Sequence, residues 1–564
     1  MDEIPGARMP KACRTCAKAK VRCEPEVNGV CKREVSVLEA KLDRMVELLA
    51  ASEKSREAQS HASHSPRQPS AHPEEDNAAS VQEDEALMDI VRKSIIPLFP
   101  FIFIPEHLTA EKLRRERPFL YLNLTMVTCQ HAPRQHEISE TVKQYIAEHI
   151  VVGGEHSMDL LQGLLVYLSW FITVCHVPDW RQISQATNHT TAPQFQAQSA
   201  QLDVFTQLAM AQVISLNLNK GIAALRSLDR PLSYLRAADF QPNQIPARTL
   251  EERRIYLGCY YISVMFSICV RDMEPVRFTQ YTQECCDVLQ EASECPADAY
   301  LVQLIRVVHL ADKVHHTTST SELGSSAVLS TPLGLIVRGQ QAELQQIKKS
   351  FSCGVPYSAL LSMHYHMVEI IIYRVSLGDN FSEFQPGDYS MTRLDLLFRC
   401  LEAVKSFFFD LHSVPSEYFP FFPFTVWCQS GLAMVTLSRL ILFQGEKIGW
   451  DRTYVRSVID LDQTADNLAR KMKDGQALLS RVNQNSQYLE PPEIIERVVS
   501  RMQIMKAVHR KRLEAQERAN PQAPLEPPDF SFFLNMPIDA LFPYGHYGEI
   551  PSAFDTPSLT PRYF

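Results

Sequence analysis

The chain of 564 residues carries 56 basic and 65 acidic side chains, a formal net charge of -9. Apolar residues at 45% and charged residues at 21% exclude a wholly disordered chain. The acidic balance excludes a bulk nucleic-acid coat and leaves room for a local basic module. Length sets a prior of roughly three or four domains of about 150 residues.

The opening MDEIPGARMPKACRTC lacks the apolar run a signal peptide needs, so the 14 cysteines are read as reduced thiols. Clustered cysteines then point to metal and scattered ones to core positions. Residues 1–33 hold eight basic and four acidic side chains, a local net of +4, together with four cysteines.

The stretch that carries chemistry is ACRTCAKAKVRCEPEVNGVCKR at 12–33. Cys13 and Cys16 are separated by two residues, Cys23 follows after six more and Cys31 after a further seven. Four thiolates so close together can close a tetrahedral zinc site, and zinc would organise a segment too short for its own apolar core. Lys18, Lys20 and Arg22 lie between the second and third cysteines. A metal-stapled helix presenting these cations suits a DNA groove, where Lys and Arg reach phosphates and guanine edges.

These residues resemble the fungal binuclear zinc cluster transcription factors. Their pattern is Cys-x2-Cys-x6-Cys, a loop, then Cys-x2-Cys-x6-8-Cys, with six cysteines on two zinc ions. ACRTCAKAKVRC matches the first half closely. The resemblance implies that Cys13, Cys16, Cys23 and Cys31 hold one zinc and that Lys20 contacts bases of a CGG half-site. Lys18 and Arg22 fall where the family carries base- or phosphate-directed cations. Ala17 and Ala19 stand where it often has more basic residues.

The second half departs from the pattern. Glu34 stands where the fifth cysteine is expected, and none occurs near Lys41 to Asp43. Two zinc ions are therefore expected only for a completed cluster. Either a short coding stretch is missing after Arg33, or the protein has a half cluster with weakened or absent DNA binding. The clean CKR ending favours an interrupted Cys-x2-Cys.

After this module (10–33) comes EVSVLEAKLDRMVELLA at 34–50, where Val35, Leu38, Leu42, Met45 and Leu49 recur at spacings of three and four. That is an a/d seam about two heptads long. It fits a dimerisation helix, homo- or heterodimeric, or an amphipathic helix packed on its own protein. Glu34 against Glu39 mildly disfavours a parallel homodimer. Residues 51–86 are rich in Ser, His, Pro, Gln and Ala with an acidic run at 74–85, and read as a flexible linker.

The region 87–518 is expected to be all-α, with helices at Leu160–Val177, Leu202–Leu218, Leu250–Val270, Met363–Val375 and Leu396–Leu411. Thr249 and Glu252 form a capping box before the third. Leu160–Val177 is the best membrane candidate, but Gln162, Gly163, Ser169, Thr173 and His176 interrupt it and Pro178 stops it. It falls short of the ~20 apolar residues a span needs and reads as a buried helix, so no membrane is expected. By the resemblance this region regulates activity and senses a small-molecule effector, and DLLQGLLVYLSW and RTLEERRIYLGCYYISVMFS look like its helices. The tail 519–564 interleaves Phe530, Phe532, Phe533 and Leu534 with acidic residues. It fits an activation segment that contacts transcription machinery or a tail that docks on its own domain.

Catalysis finds no constellation. His364 and His366 point to different faces of a helix, which argues against a shared metal. Cys285 and Cys286 lack zinc or redox spacing, and no Walker loop, GxSxG or HExxH occurs. Lys506, Arg510, Lys511 and Arg512 read as a solvated helix face or a nuclear-import or phosphate patch. The sequence thus predicts a nuclear, non-enzymatic transcription factor that binds double-stranded DNA and controls metabolic or secondary-metabolite genes. The alternatives are a regulator without autonomous DNA binding and an all-α small-molecule receptor or enzyme with a vestigial leader.

Overall fold

The computed structural model describes residues 85–129, 131–170, 192–221, 247–269, 274–318, 333–349, 357–378, 393–482 and 493–518. All fall in one unit that spans residues 80–564. No strand occurs among the described residues, which bears out the all-α expectation. The α-helices are α1 Ala110–Glu116, α2 Pro118–Thr128, α3 Ala132–Tyr145, α4 Met158–Ser169, α5 Ala192–Ser215, α6 Leu250–Cys269, α7 Gln280–Ala292 and α8 Pro296–Thr318. They continue as α9 Leu333–Lys349, α10 Tyr357–Tyr373, α11 Arg393–Ser413, α12 Phe424–Leu442, α13 Arg452–Val458, α14 Leu461–Val482 and α15 Glu493–Arg518.

Local chemistry sets the helix starts. The expected capping box opens α6: the Glu252 amide donates to Thr249 Oγ1 at 3.1 Å, and the Thr249 amide donates to Glu252 Oε2 at 2.7 Å. A second box, Thr279 with Thr282, opens α7. Ser157 accepts from the Leu160 amide at the start of α4. The first turn of α2 is capped from another helix: Asp159 of α4 accepts from the Leu120 amide at 2.8 Å and the Phe119 amide at 3.1 Å. Free amide donors and a carboxylate are thereby satisfied together.

One apolar core runs through the unit. Every residue of α6 from Arg253 to Ile268 is buried, so this helix packs on all sides. It contacts α4, α8 and α12, while α10 packs against α8 and α11, and α14 against α15 and the 3-10 turn Ser416–Phe421. Two glycines permit close approach. A Cβ at Gly258 would lie 2.8 Å from Phe101 Cβ, and one at Gly475 would clash with the Ser416 carbonyl and lie 2.9 Å from Pro420 Cδ.

The expected helices are present with shifted ends: α5 begins before Leu202, α10 begins before Met363, and α11 extends past both expected limits. Of the stretch Leu160–Val177, α4 stops at Ser169 with residues 160–169 buried, and 171–177 lie outside the described residues. A different helix, α12, is long and apolar enough to cross a membrane by length and composition, and 78% of its apolar window is buried inside the unit. Burial of that kind marks a core helix.

Candidate functional site: polar groups inside the helical region

Cys13, Cys16, Cys23, Cys31, Lys18, Lys20, Arg22, Val35, Leu38, Leu42, Met45 and Leu49 all lie outside the described residues, as does the tail 519–564. Among the described residues no group of three or more His, Cys, Asp or Glu side chains is arranged to hold a metal. The helical region offers instead a series of polar clusters at the joints between its helices.

The innermost lies between α6, α10 and α12. His364 is 3% exposed, and its Nδ1 donates to the Leu360 carbonyl at 2.8 Å. That bond leaves Nε2 as the acceptor, and Gln429 Nε2 donates to it at 3.0 Å. Tyr261 Oη lies 3.1 Å from the same nitrogen and donates to Thr425 Oγ1 at 3.1 Å. Burial pulls the imidazole down to about 4, so it is neutral at pH 7. The cluster therefore ties three helices together with dipoles rather than charges.

The other face of α10 is charged. His366 Nδ1 meets Glu369 at 2.7 Å and its Nε2 meets Asp410 of α11 at 3.3 Å. Lys348 of α9 reaches Glu369 at 2.6 Å. Burial opposes the imidazolium, yet hydrogen bonds to Asp410 and Glu369 carry the His366 pKa above its ordinary value. Glu369 and Asp410 are likewise held below the usual carboxylate range despite burial, by bonds from His366 and by Lys348. The two histidines thus share no ligand position.

Two further clusters brace α6. Arg254 and Asp298 are each 2% exposed at the side chain and form a bidentate pair, Nε to Oδ1 at 2.7 Å and Nη2 to Oδ2 at 2.9 Å. Glu294 adds a bond to Nη2 at 2.7 Å. At the other joint Glu251 receives both the Arg117 guanidinium and Gln162 Nε2, the latter at 2.8 Å. Cys285 and Cys286 are buried free thiols raised by desolvation, and Arg253 Nη1 lies 3.6 Å from Cys285 Sγ.

The basic run in α15 meets its expectation in part. Lys506 is 7% exposed and reaches Asp466 at 2.6 Å, and Arg510 pairs with Asp462. Burial also lowers the Arg512 pKa. Lys506 thus ties α15 to α14, while Arg510 and Lys511 are exposed, as a solvated helix face requires. The clusters on α6 and α10 were missed by sequence reasoning. Their one signal is a charged or imidazole side chain inside an otherwise apolar helix, as with Arg253-Arg254 in LEERRIYLG.

Comparisons with known proteins bear on the same region. The ATEG07667_C family model, described as a C-terminal domain, matches residues 415–524, from the 3-10 turn before α12 through α15. The chain is 26% identical over 500 residues to "Transcription factor opdL" of Penicillium oxalicum, covering 82% of this chain and 83% of that one. It is 24% identical to "Transcription factor himD" of Aspergillus japonicus, covering 76% and 73%. "Transcription factor pbcR" of Emericella nidulans is 25% identical over 42% of this chain and 30% of its own. No solved structure matches the chain. The similarity thus spans most of this sequence and runs to fungal proteins named as transcription factors, which favours a regulatory role over an enzymatic one.

Proposed function

We propose that this chain is a nuclear, zinc-dependent transcription factor. The observation that carries the reading is similarity to named transcription factors across four-fifths of the chain, joined to a Cys-x2-Cys-x6-Cys motif at 13–23. Cys13, Cys16, Cys23 and Cys31 supply the thiolates for one zinc. As a donor set they fit one tetrahedral ion, and a second would have two ligands at most. Lys18, Lys20 and Arg22 face double-stranded DNA, with Lys20 reading bases of a CGG-type half-site. The seam from Val35 to Leu49 pairs two chains, the helical region regulates, and the tail contacts the transcription machinery.

Glu34 in place of a fifth cysteine favours a second reading, a regulator that acts without binding DNA by itself. Zinc content and gel-shift titration of the full chain on a CGG probe separate the two. One zinc per chain with no shifted probe selects the second. Two zincs and binding, from a transcript that carries extra codons after Arg33, select the first. Lys20→Ala is then expected to weaken binding by about 1–3 kcal/mol and to relax one half-site, and an unchanged affinity and site preference removes Lys20 from the contact set.

A further inference from the structure

Arg374 opens the 3-10 turn Arg374–Leu377 that follows α10. The turn sits where several helices end or pass: Cys269 closes α6, His315 lies in the last turn of α8, Cys400 is on α11 and Arg439 on α12. Cys269, Cys400 and Arg439 all act electrostatically on Arg374, and no carboxylate among the described residues does. Arg374 Nη2 donates to His315 Nδ1 at 3.2 Å. Arg374 Nη1 is buried from solvent and has no hydrogen-bond partner among the described residues.

Among the described residues, the side chains that act on Arg374 supply no full counter-charge. Burial raises both the Cys269 and the Cys400 thiol to about 12, so neither is a thiolate at pH 7. Burial and the nearby Arg374 lower His315 to about 4, so it is neutral. The carbonyls of the turn already accept from two other arginines: Arg393 donates to Ser376 O at 2.8 Å and to Gly378 O at 2.9 Å, and Arg439 donates to Leu377 O at 3.3 Å. Three guanidinium groups therefore surround one short turn. The negative ends of α6, α8 and α10 offset part of that charge, and none gives Nη1 an acceptor. A buried guanidinium nitrogen without an acceptor is costly, and a guanidinium is shaped to donate to two oxygens side by side.

We propose that the turn at Arg374 is the binding site for an oxyanion, the carboxylate or phosphate group of a small effector, which Arg374 receives through Nη1. The proposal rests on the regulatory reading of the helical region for its meaning to the cell. The binding itself stands or falls independently of the zinc module, since its test uses no DNA.

The experiment is a thermal-shift titration of the full-length protein with sodium phosphate and, in parallel, sodium acetate, against sodium chloride at matched ionic strength. Wild type is compared with Arg374→Gln and Arg374→Met. A saturable rise in Tm is expected for the wild type, with apparent affinity at least tenfold weaker in both variants. A rise with phosphate alone assigns the site to phosphate esters and a rise with acetate to carboxylates. No saturable rise with either anion overturns the proposal, as does a rise retained in the variants, which is general salting-out. Should neither variant fold, hydrogen exchange of the wild type decides: phosphate is expected to slow exchange at 374–378, and unchanged exchange there overturns it.

Discussion

The inner face of α10 holds His364 among Leu360, Tyr261 and Gln429, and the outer face holds His366 among Glu369, Asp410 and Lys348. Both imidazoles are well buried and lie two residues apart. On the inner face burial acts without opposing charge, and the ring stays neutral. On the outer face two carboxylates outweigh burial, and the ring holds its proton more firmly than free histidine. Desolvation is common to both, so the presence of a carboxylate within hydrogen-bond reach decides the charge state. The inner face therefore joins helices in a way salt does not screen, while the outer face responds to both pH and salt.

The Arg254–Asp298 pair tests how far charge can enter the interior. Asp298→Ala leaves Arg254 buried with the half-exposed Glu294 as its remaining hydrogen-bonded carboxylate among the described residues, and a loss of about 3–5 kcal/mol is expected in chemical denaturation. A loss below ~1 kcal/mol would mean that water reaches the guanidinium. Next comes Gly475→Ala, where the new methyl meets backbone at Ser416 and the Pro420 ring, neither of which yields easily. About 1–3 kcal/mol is expected, together with loosening of α14 from the turn at 416–421 that hydrogen exchange would register.

The inner histidine predicts acid sensitivity with a defined sign. His364 has a folded pKa near 4 against 6.5 for the free side chain, so the unfolded chain binds the proton more tightly. Its contribution is complete above pH 6.5 and declines as pH falls toward 4. His309 and His509 shift the same way, His309 through burial and Lys313, His509 through burial. His364→Gln should remove up to about 2 kcal/mol of the difference in stability between pH 6.5 and pH 5. An equally steep acid profile in that variant would assign the sensitivity to the other histidines.

The outer histidine has the opposite sign. Its raised pKa gives stability that is full below the unfolded value of 6.5 and lost as pH rises through the folded one, whereas the lowered Glu369 and Asp410 contribute above their unfolded values of 4.5 and 3.8. Glu369→Gln should flatten the decline on the alkaline side by less than the His364→Gln effect, since the cluster is closer to solvent. Smallest of all, Arg510→Ala removes an exposed ion pair to Asp462 and should leave Tm unchanged within error.

Periodicity and capping made the helices legible. The pattern in LEERRIYLGCYYISVMFSICV and the Thr249–Glu252 box place α6 to within a residue. Ends set by long-range contacts were not legible. The start of α2 depends on Asp159, forty residues away from Phe119 along the chain, and the turn after α10 depends on arginines from α11 and α12. The sequence singled out α4 as the most membrane-like stretch, whereas α12, with Arg439 near its end, is the longer apolar helix. The clusters on α6 and α10 were invisible for a related reason: a lone Arg, His or Asp in an apolar run says that a partner is needed, and only the fold says which.

The described residues of segment 415–524, which a family model treats as a C-terminal domain, share one core with the rest. Trp170, at the end of α4, donates its indole N–H to the Phe421 carbonyl at 2.9 Å, and α12 packs against α4, α6, α10 and α11. Grafting this segment alone onto a relative would carry over one half of a lock without its key. A functional exchange between such proteins has to move α4, α6 and α12 as a set, and substitutions that accumulate on one of these helices are expected to be answered on the other two.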